Sequence, residues 1–195
     1  MNNPTEEHMN AVTRILRYLK MTPGKGLFFA KSTKRDIKIF SDSDWAGSVT
    51  DRRSTSGYCT YIWGNLVTWR SKKQSVVARS SVEAEFKAIA HGICEGLWLY
   101  RVMAELKISV EGPMKMFCDN QVAISIAKNP VHHDRTKHVE IDRHFIKEKI
   151  EEGTLKLLYT PTAFQTANIL TKALPRVHFE DLCCKLGMIN IYNPA

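Results

Sequence analysis

The amino-acid sequence predicts an α/β fold in which helices pack on a mixed β-sheet. Two observations support this class. Short strand-like segments fill much of the first 75 residues and recur near residues 114 and 155. The segment 81–106 instead repeats apolar residues every three or four positions, which is typical of an amphipathic helix.

The N-terminal part combines one helix with four strand-like segments. Residues 5–20 show helical apolar spacing with Thr5 suited to the N-cap, and "TPGKG" ends this helix. The predicted strands are "GLFFA", "IKIFS", "YCTYIWG" and "LVTWRSK". The last two are expected to form a hairpin around Gly64 and Asn65.

The remaining segments alternate between strand and helix. "MKMFCDN" predicts a buried strand, and "QVAISIAK" predicts a short helix. Residues 136–151 predict a second amphipathic helix, which Gly153 ends. "LKLLYTP" is a fifth core strand, and residues 162–186 predict a final helical stretch that contains Pro175.

The composition restricts the classes of function. The 195 residues are 44% hydrophobic and 25% charged, which is typical of a globular chain. No apolar run approaches the roughly 18 residues of a membrane span, so we predict no membrane partner. The formal net charge of +8 favours a polyanionic partner.

The cysteines and histidines do not predict a zinc site. The five cysteines show no Cys-x-x-Cys spacing, which also argues against a disulfide framework. Four of the seven histidines cluster within thirteen residues, but their spacing fits no zinc pattern. These four are His132, His133, His138 and His144.

Acidic residues lie where strands end and where the long helix begins. Asp42 ends one core strand and Asp119 ends another, while Glu83 and Glu85 lie in the first turn of the helix. Carboxylates gathered from such positions could bind Mg²⁺ or Mn²⁺, which prefer oxygen ligands. Scattered surface acids are the alternative, because helix dipoles also favour acids in first turns. Asp44 is interpreted as a turn or near-site residue.

Several longer motifs resemble, in order, the ribonuclease H domain of copia-type LTR retrotransposon polyproteins. They are "FSDSDWAGSVTDRRSTSGYCTYIWG", "WRSKKQSVVARSSVEAEF", "FCDNQVAISIAKNPVHHDRTKHVEI" and "QTANILTKALP". The preceding "AVTRILRYLKMTPGKGL" resembles the end of the reverse transcriptase region. The resemblance divides the chain into a reverse transcriptase tail (1–30), a ribonuclease H-like domain (31–186) and a C-terminal tail (187–195).

The resemblance implies a fold, an activity and a setting. The fold would be the ribonuclease H-like mixed five-stranded sheet with helices on both faces. The activity would be hydrolysis of the RNA strand of RNA–DNA hybrids with two Mg²⁺ or Mn²⁺ ions. The partners would be the hybrid and the reverse transcriptase domain of the same polyprotein. The setting would be intracellular, in a cytoplasmic virus-like particle.

Carried over by position, the family's catalytic residues fall on four places in this sequence. Asp42, Glu85 and Asp119 match three carboxylates, with Glu83 as the fallback for Glu85. The family's "ADILTK" is here "ANILTK", so Asn168 stands where an aspartate is expected. Asparagine keeps a carbonyl ligand but loses a negative charge, which would weaken binding of a second ion.

Basic and polar residues flank these acids. "WRSKKQSVVARS" contains no acid, and we expect its Arg70, Lys72, Lys73 and Arg79 to bind phosphates. A solvated strand face is the alternative interpretation. Asn120 and Gln121 are candidates for contacts to 2′-hydroxyl groups.

Three functions are compatible with the sequence. The first is a metal-dependent ribonuclease H. The second is a nucleic-acid-binding module with weakened or lost catalysis, which the asparagine at position 168 suggests. The third is an integrase or transposase on the same fold, but those resemble a carboxylate order with the glutamate last. Here the glutamate lies between the two aspartates, which favours ribonuclease H.

Overall fold

The computed structural model describes residues 3–128 and 140–192. The strands are β1 (Lys25–Leu27), β2 (Ile37–Asp44), β3 (Thr55–Ile62), β4 (Asn65–Lys73), β5 (Met114–Cys118), β6 (Leu155–Tyr159) and β7 (Met188–Asn190). The helices are α1 (Glu6–Met21), α2 (Ser81–Glu105), α3 (Gln121–Lys128), α4 (Glu140–Glu151) and α5 (Arg176–Lys185). Two 3₁₀ turns cover Thr162–Phe164 and Thr166–Leu170.

Five strands form the main sheet in the order β4-β3-β2-β5-β6. β2, β3 and β4 pair antiparallel, whereas β5 pairs parallel with β2 and β6 parallel with β5. The sheet is therefore mixed, as predicted. Because β2 and β5 are parallel neighbours, their carboxyl ends lie side by side at one edge of the sheet.

The long helix α2 packs tightly against one face of the sheet. Ser80 caps it, accepting a hydrogen bond from the Glu83 backbone N–H, and helical spacing buries a continuous apolar stripe. A Cβ added at Gly96 would lie 2.4 Å from Ile39 Cδ1 and 2.9 Å from Met114 Sδ. This close approach holds α2 directly against β2 and β5.

The opposite face is covered by the second 3₁₀ turn and α5. Cys59, Tyr61 and Leu66 pack there with Ala167 and Leu186. Helical elements thus lie on both faces, as the fold class predicts. The helical stretch predicted over 162–186 consists of two 3₁₀ turns followed by α5, which begins only after Pro175, because proline cannot continue a preceding helix.

A second, two-stranded sheet joins the two ends of the described chain. β1 pairs antiparallel with β7, with Gly26 opposite Ile189. The predicted strand "GLFFA" was therefore wrong in extent and is not part of the main sheet. The predicted domain division placed residues 25–27 in the reverse transcriptase tail and residues 188–190 in the C-terminal tail. In the structure these two segments are hydrogen-bonded to each other. The domain boundaries themselves remain a prediction.

The hairpin between β3 and β4 turns one residue earlier than predicted. Its central residues are Trp63 and Gly64, with φ of 55° and 86°, rather than Gly64 and Asn65. Two consecutive positive φ angles match the right-handed twist of a hairpin. Arg35 lies 4.3 Å above the Trp63 ring, which stabilises this unusual conformation for a bulky residue.

Part of one predicted helix and most of the histidine cluster lie outside the described residues. Residues 136–139, His132, His133 and His138 belong to that segment. The described His144 lies on α4, where its Nε2 is 3.7 Å from Glu140 Oε1. The absence of a zinc site remains a prediction. Within the described ranges, no helix is long and apolar enough to cross a bilayer.

A buried glutamine ties β2 to β5 just beyond their last paired residues. The Gln165 side chain is fully buried, and its Nε2 donates to the backbone oxygens of Ser41 (2.9 Å) and Phe117 (3.2 Å). The β2–β5 ladder ends at Phe40 and Phe117. Gln165 therefore satisfies carbonyl groups at the point where the two strands begin to diverge.

We predict that Gln165→Leu lowers the free energy of unfolding by about 2–4 kcal/mol, because two buried carbonyl oxygens lose their donor. Urea denaturation monitored by circular dichroism would measure this loss. The matched control is Gln121→Leu at an exposed position, which should change stability by less than about 0.5 kcal/mol. Equal effects from both variants would contradict the role assigned to Gln165.

Candidate metal centre

Asp42 lies at the carboxyl-terminal end of β2 and is 1% exposed. Both of its oxygens have partners. Lys172 Nζ lies 2.9 Å from Oδ1, and the Thr171 hydroxyl donates to Oδ2. The segment that follows the second 3₁₀ turn thus holds the Asp42 carboxylate in one orientation.

Asp119 directly follows β5, the parallel neighbour of β2. Its carboxylate is half-buried, and Oδ2 accepts a hydrogen bond of 3.0 Å from the Thr162 hydroxyl. The two aspartates therefore sit at adjacent strand ends, where open α/β sheets place their ligand sites.

Glu85 reaches the same place from the start of α2. Its side chain is buried, and Oε1 accepts a 3.2 Å hydrogen bond from the Ser43 backbone N–H. One carboxylate oxygen from each of Asp42, Glu85 and Asp119 lies within 4.8 Å of the other two. Three oxygen donors at this spacing match the ligands that Mg²⁺ and Mn²⁺ prefer.

The neighbouring Glu83 points elsewhere. Its Oε1 forms an ion pair of 2.8 Å with Lys87, and its Oε2 accepts from the Arg79 backbone N–H at 2.7 Å. Residues two apart on a helix face different directions. The structure therefore places Glu85, and not Glu83, beside the two aspartates.

The cluster carries unfavourable charge in the absence of a cation. Burial raises the pKa of Glu85 well above its usual range, and the charges of Asp42 and Asp119 raise it further. Burial and the charge of Asp42 also raise the pKa of Asp119. A proton or a metal ion on the cluster would relieve this repulsion.

Asn168 lies beside the cluster in the second 3₁₀ turn and is 1% exposed. Its Nδ2 donates to the Thr162 backbone oxygen at 3.1 Å, and its Oδ1 accepts from Lys172 Nζ at 2.9 Å. Lys172 Nζ thus contacts both Asp42 and Asn168. Asn168 is thus linked to Asp42 through Lys172 and to Asp119 through Thr162. Its side chain is a neutral amide and carries no negative charge.

Comparison with known proteins places the chain in a family. No protein-family model matches it. It is 40% identical over 191 residues, 98% of its length, to the retrovirus-related Pol polyprotein from transposon RE2 of Arabidopsis thaliana. It is 39% identical over 186 residues, 95% of its length, to that from transposon TNT 1-94 of Nicotiana tabacum. The chain belongs to the retrotransposon Pol polyprotein family.

The match covers only a small part of each Pol polyprotein. The chain spans 13% of the RE2 polyprotein and 14% of the TNT 1-94 polyprotein. Among solved structures, LC11-RNase H1 in complex with RNA/DNA hybrid matches with a TM-score of 0.52 and 15% identity, over 70% of this chain and 94% of that one. This likeness shows the ribonuclease H fold of the Pol chain and confirms the resemblance drawn from its motifs.

Asp44 serves the turn that follows β2 in this Pol chain. Its Oδ1 accepts a hydrogen bond from the Thr55 backbone N–H, and its carboxylate fills the space next to Gly47, where a Cβ would lie 2.0 Å from Oδ2. Burial raises the pKa of Asp44. These contacts agree with the interpretation of Asp44 as a turn residue.

The four basic residues predicted to bind phosphates do not share one surface. They are Arg70, Lys72, Lys73 and Arg79. All four are exposed. Alternation along the edge strand β4 places Arg70 and Lys72 on one face and Lys73 on the other. Burial, and then the charges of Arg70 and Lys72, lower the pKa of His91 on α2. Lys73 Nζ instead lies 3.4 Å from Asp51 Oδ2.

The other predicted contact residues lie closer to the cluster in sequence. Arg79 precedes α2, and its backbone N–H bonds to Glu83. Asn120 Oδ1 accepts from the Ala123 N–H at 3.0 Å, so Asn120 acts as the N-cap of α3. Gln121 is exposed at the first position of α3. The assignment of these residues to nucleic-acid binding remains a prediction.

Sequence reasoning missed the residues that orient the acids. Thr162, Thr171 and Lys172 all contact a carboxylate of the cluster, and Gln165 supports the strands beneath it. Gln165, Thr171 and Lys172 belong to the motif "QTANILTKALP", which carried the family resemblance, whereas Thr162 precedes it. Single hydroxyl, amide and basic side chains show no periodicity, so their individual roles became visible only through contacts.

We predict that the metal-free chain loses stability as pH rises from the ordinary glutamate pKa of 4.5 towards the raised pKa of Glu85. The folded state there holds a proton that the unfolded state has released, so deprotonation favours unfolding. Glu85→Gln should reduce this dependence and be more stable relative to the parent chain at pH 8 than at pH 4. Urea titrations in EDTA across that range measure it.

Glu83→Gln is the matched control for this experiment. It removes a carboxylate paired with Lys87 and should therefore destabilise the chain at pH 8. A stability difference between Glu85→Gln and the parent chain that stays constant from pH 4 to pH 8 would contradict the raised pKa.

Proposed function

We propose that the chain is a divalent-metal-dependent endonuclease that hydrolyses the RNA strand of RNA–DNA hybrids during retrotransposon reverse transcription. The observation that carries this proposal is the convergence of Asp42, Glu85 and Asp119, whose oxygens lie within 4.8 Å of one another. The ribonuclease H fold and the Pol family membership support the same reaction.

The donor set fits Mg²⁺ or Mn²⁺. Asp42, Glu85 and Asp119 supply only hard oxygen ligands, and the rigid strand ends and α2 fix their spacing. Bound in pairs at such a site, these ions polarise a phosphate oxygen and lower the pKa of water. The Ser43 N–H and the Thr162 hydroxyl keep Glu85 and Asp119 oriented towards the shared centre.

The hydrolysis breaks the bond between phosphorus and the 3′ oxygen of the RNA strand. Water supplies the hydroxyl group that joins the phosphorus, so the products carry a 5′-phosphate and a 3′-hydroxyl. The 2′-hydroxyl serves recognition, for which Gln121 and Asn120 are the proposed contacts. Arg70 and Lys72, on one face of β4, are proposed to bind backbone phosphates.

The setting of this activity is also a proposal. The relatives are polyproteins of which this chain spans about an eighth. We propose that it acts beside the reverse transcriptase domain of the same polyprotein, inside an intracellular virus-like particle. Release of RNA from the hybrid would then follow synthesis of the DNA strand.

A second candidate function rests on Asn168. The neutral amide replaces an expected carboxylate, and its oxygen is already paired with Lys172. A chain with three carboxylates could bind one ion and still grip the hybrid while cleaving slowly or not at all. This candidate is a hybrid-binding module, and the cleavage experiment below separates it from the nuclease.

We predict that the chain cuts the RNA strand of a labelled RNA–DNA hybrid in Mg²⁺ or Mn²⁺ and that Asp119→Asn lowers the rate at least about 100-fold. A lost ligand removes several kcal/mol of transition-state stabilisation, and each 1.36 kcal/mol is tenfold in rate. Gel analysis of single-turnover reactions measures the rate. The control is Asp181→Asn on α5, whose carboxylate pairs with Lys185 and not with a residue of the cluster.

Asn168→Asp distinguishes the two candidate functions. A parent chain that cuts the RNA strand establishes that three carboxylates suffice. A silent parent chain that binds hybrid, together with an active Asn168→Asp variant, identifies the binding module. Absence of cleavage by every folded version, in Mg²⁺ and in Mn²⁺, would contradict the nuclease.

We predict that Arg70→Gln combined with Lys72→Gln weakens hybrid binding and reduces the slope of log K against log salt by about 1–2. Each phosphate contact contributes roughly 0.7–0.9 to that slope. Fluorescence anisotropy with labelled hybrid in EDTA gives the affinities. Lys107→Gln, two residues beyond the C-terminal end of α2, removes one positive charge far from the cluster and should leave the slope unchanged. Identical slopes for all versions would exclude the β4 contacts.

A further inference from the structure

One cation of the chain lies inside the acidic centre. Lys172 Nζ is 2.9 Å from Asp42 Oδ1 and 2.9 Å from Asn168 Oδ1, so the ammonium group bridges the two side chains. Asp42 and Asn168 are each 1% exposed, whereas the Lys172 side chain is 37% exposed. The charged end of a surface lysine therefore reaches into a buried site.

The local backbone fixes this position. The Lys172 N–H donates to the Asn168 backbone oxygen at 3.0 Å, closing one helical turn, and Thr171 donates its hydroxyl to the other oxygen of Asp42. Lys172 and Asn168 are four residues apart on that turn, so their side chains lie on the same side. The bridge therefore follows from the turn that carries Asn168.

Lys172 contacts residues 42 and 168, the two positions at which the family pattern expects aspartates. In this chain one of them is the neutral Asn168, and a cation already neutralises the other. An ammonium group and a divalent ion would both bind the carboxylate oxygens of Asp42, and the two cations repel each other at short range. Occupation by one therefore opposes occupation by the other.

We propose that Lys172 is a built-in competitor for the second divalent ion: its ammonium group occupies the place between Asp42 and Asn168, and ion binding there requires its displacement. The inference rests on the proposed metal-dependent function and deepens it. Lys172 is a positioning residue, which holds Asp42 in the metal-free chain and sets the concentration of ion at which the centre fills.

The test is direct Mn²⁺ binding by isothermal titration calorimetry on the chain without nucleic acid. Lys172→Met should lower the Kd of the weaker Mn²⁺ binding event about tenfold, or make visible a second event that the parent chain lacks. Lys172→Gln keeps a donor for Asp42 without the charge and should give the same change. Thermal melting in EDTA establishes that each variant is folded.

Lys115→Met is the matched control. Lys115 Nζ lies 2.9 Å from Asp36 Oδ2, the same distance as in the Lys172–Asp42 pair, and its side chain is 39% exposed against 37%. It lies on β5 at the end away from Asp119. This variant removes an equivalent ion pair and the same net charge, and it should leave Mn²⁺ binding unchanged.

Melting temperatures supply a second measurement. Lys172→Met should melt below the parent chain in EDTA, because Asp42 loses its partner, and should gain more than the parent chain from added Mn²⁺. Combining Lys172→Met with Asn168→Asp should give a larger gain in Mn²⁺ affinity than the two single changes predict together, since the new carboxylate no longer pairs with the lysine.

The outcomes separate this inference from the proposed function. Mn²⁺ affinity and stoichiometry in both Lys172 variants that equal those of the parent chain overturn the competition while leaving the metal site intact. An equal change in Lys115→Met overturns it as well, because net charge then explains the effect. Failure of every folded version to bind Mn²⁺ overturns the metal site itself, and the competition with it.

Discussion

Repulsion among three clustered carboxylates, two of them buried and one half-buried, is the constraint on which the rest of this structure depends. One oxygen from each of Asp42, Glu85 and Asp119 lies within 4.8 Å of the other two, and burial removes much of the water that would screen their charges. Such a cluster persists only where the packing and hydrogen bonds of the surrounding fold hold the acids together against their repulsion. The pairing of β2 with β5 and the close packing of Gly96 of α2 on Ile39 hold the three elements that carry the acids in place. The charges therefore cannot separate by small backbone movements.

The segment around Asn168, on the sheet face opposite α2, also helps to hold the three carboxylates together. Gln165 satisfies the carbonyl groups where β2 and β5 diverge, while Thr162 and Lys172 contact two of the acids directly. Short 3₁₀ turns present several side chains in succession towards one point, which a regular helix with 3.6 residues per turn does not. The division of the predicted helical stretch into short turns is thus what allows this segment to contribute to the site.

The sequence predicted the parts of the molecule that periodicity and local chemistry determine. The long helix begins at Ser81 as expected, because a capping serine and a regular apolar stripe are local signals. The pairing of residues 25–27 with β7 depends on a partner more than 160 positions away, which no local pattern indicates. The hairpin turn lies one residue earlier than predicted, because the structure places Trp63 at a positive φ that its propensity disfavours, with Arg35 against its ring. For the site, strand ends and the helix start indicated the acids, whereas the role of Lys172 required a contact between residues 130 positions apart.

An acidic centre within a chain of net charge +8 must reconcile two opposite requirements. Phosphate-rich ligands are attracted by the basic exterior, yet the carboxylates repel the same phosphates unless cations lie between them. Lys172 supplies one such cation from the chain itself, and the replacement of an expected aspartate by Asn168 removes one negative charge. Both features make the metal-free centre less negative and so less repulsive towards nucleic acid. On the proposed function, the same features would weaken the binding of a second ion, so that affinity for the polyanion and affinity for metal would oppose each other at Asp42.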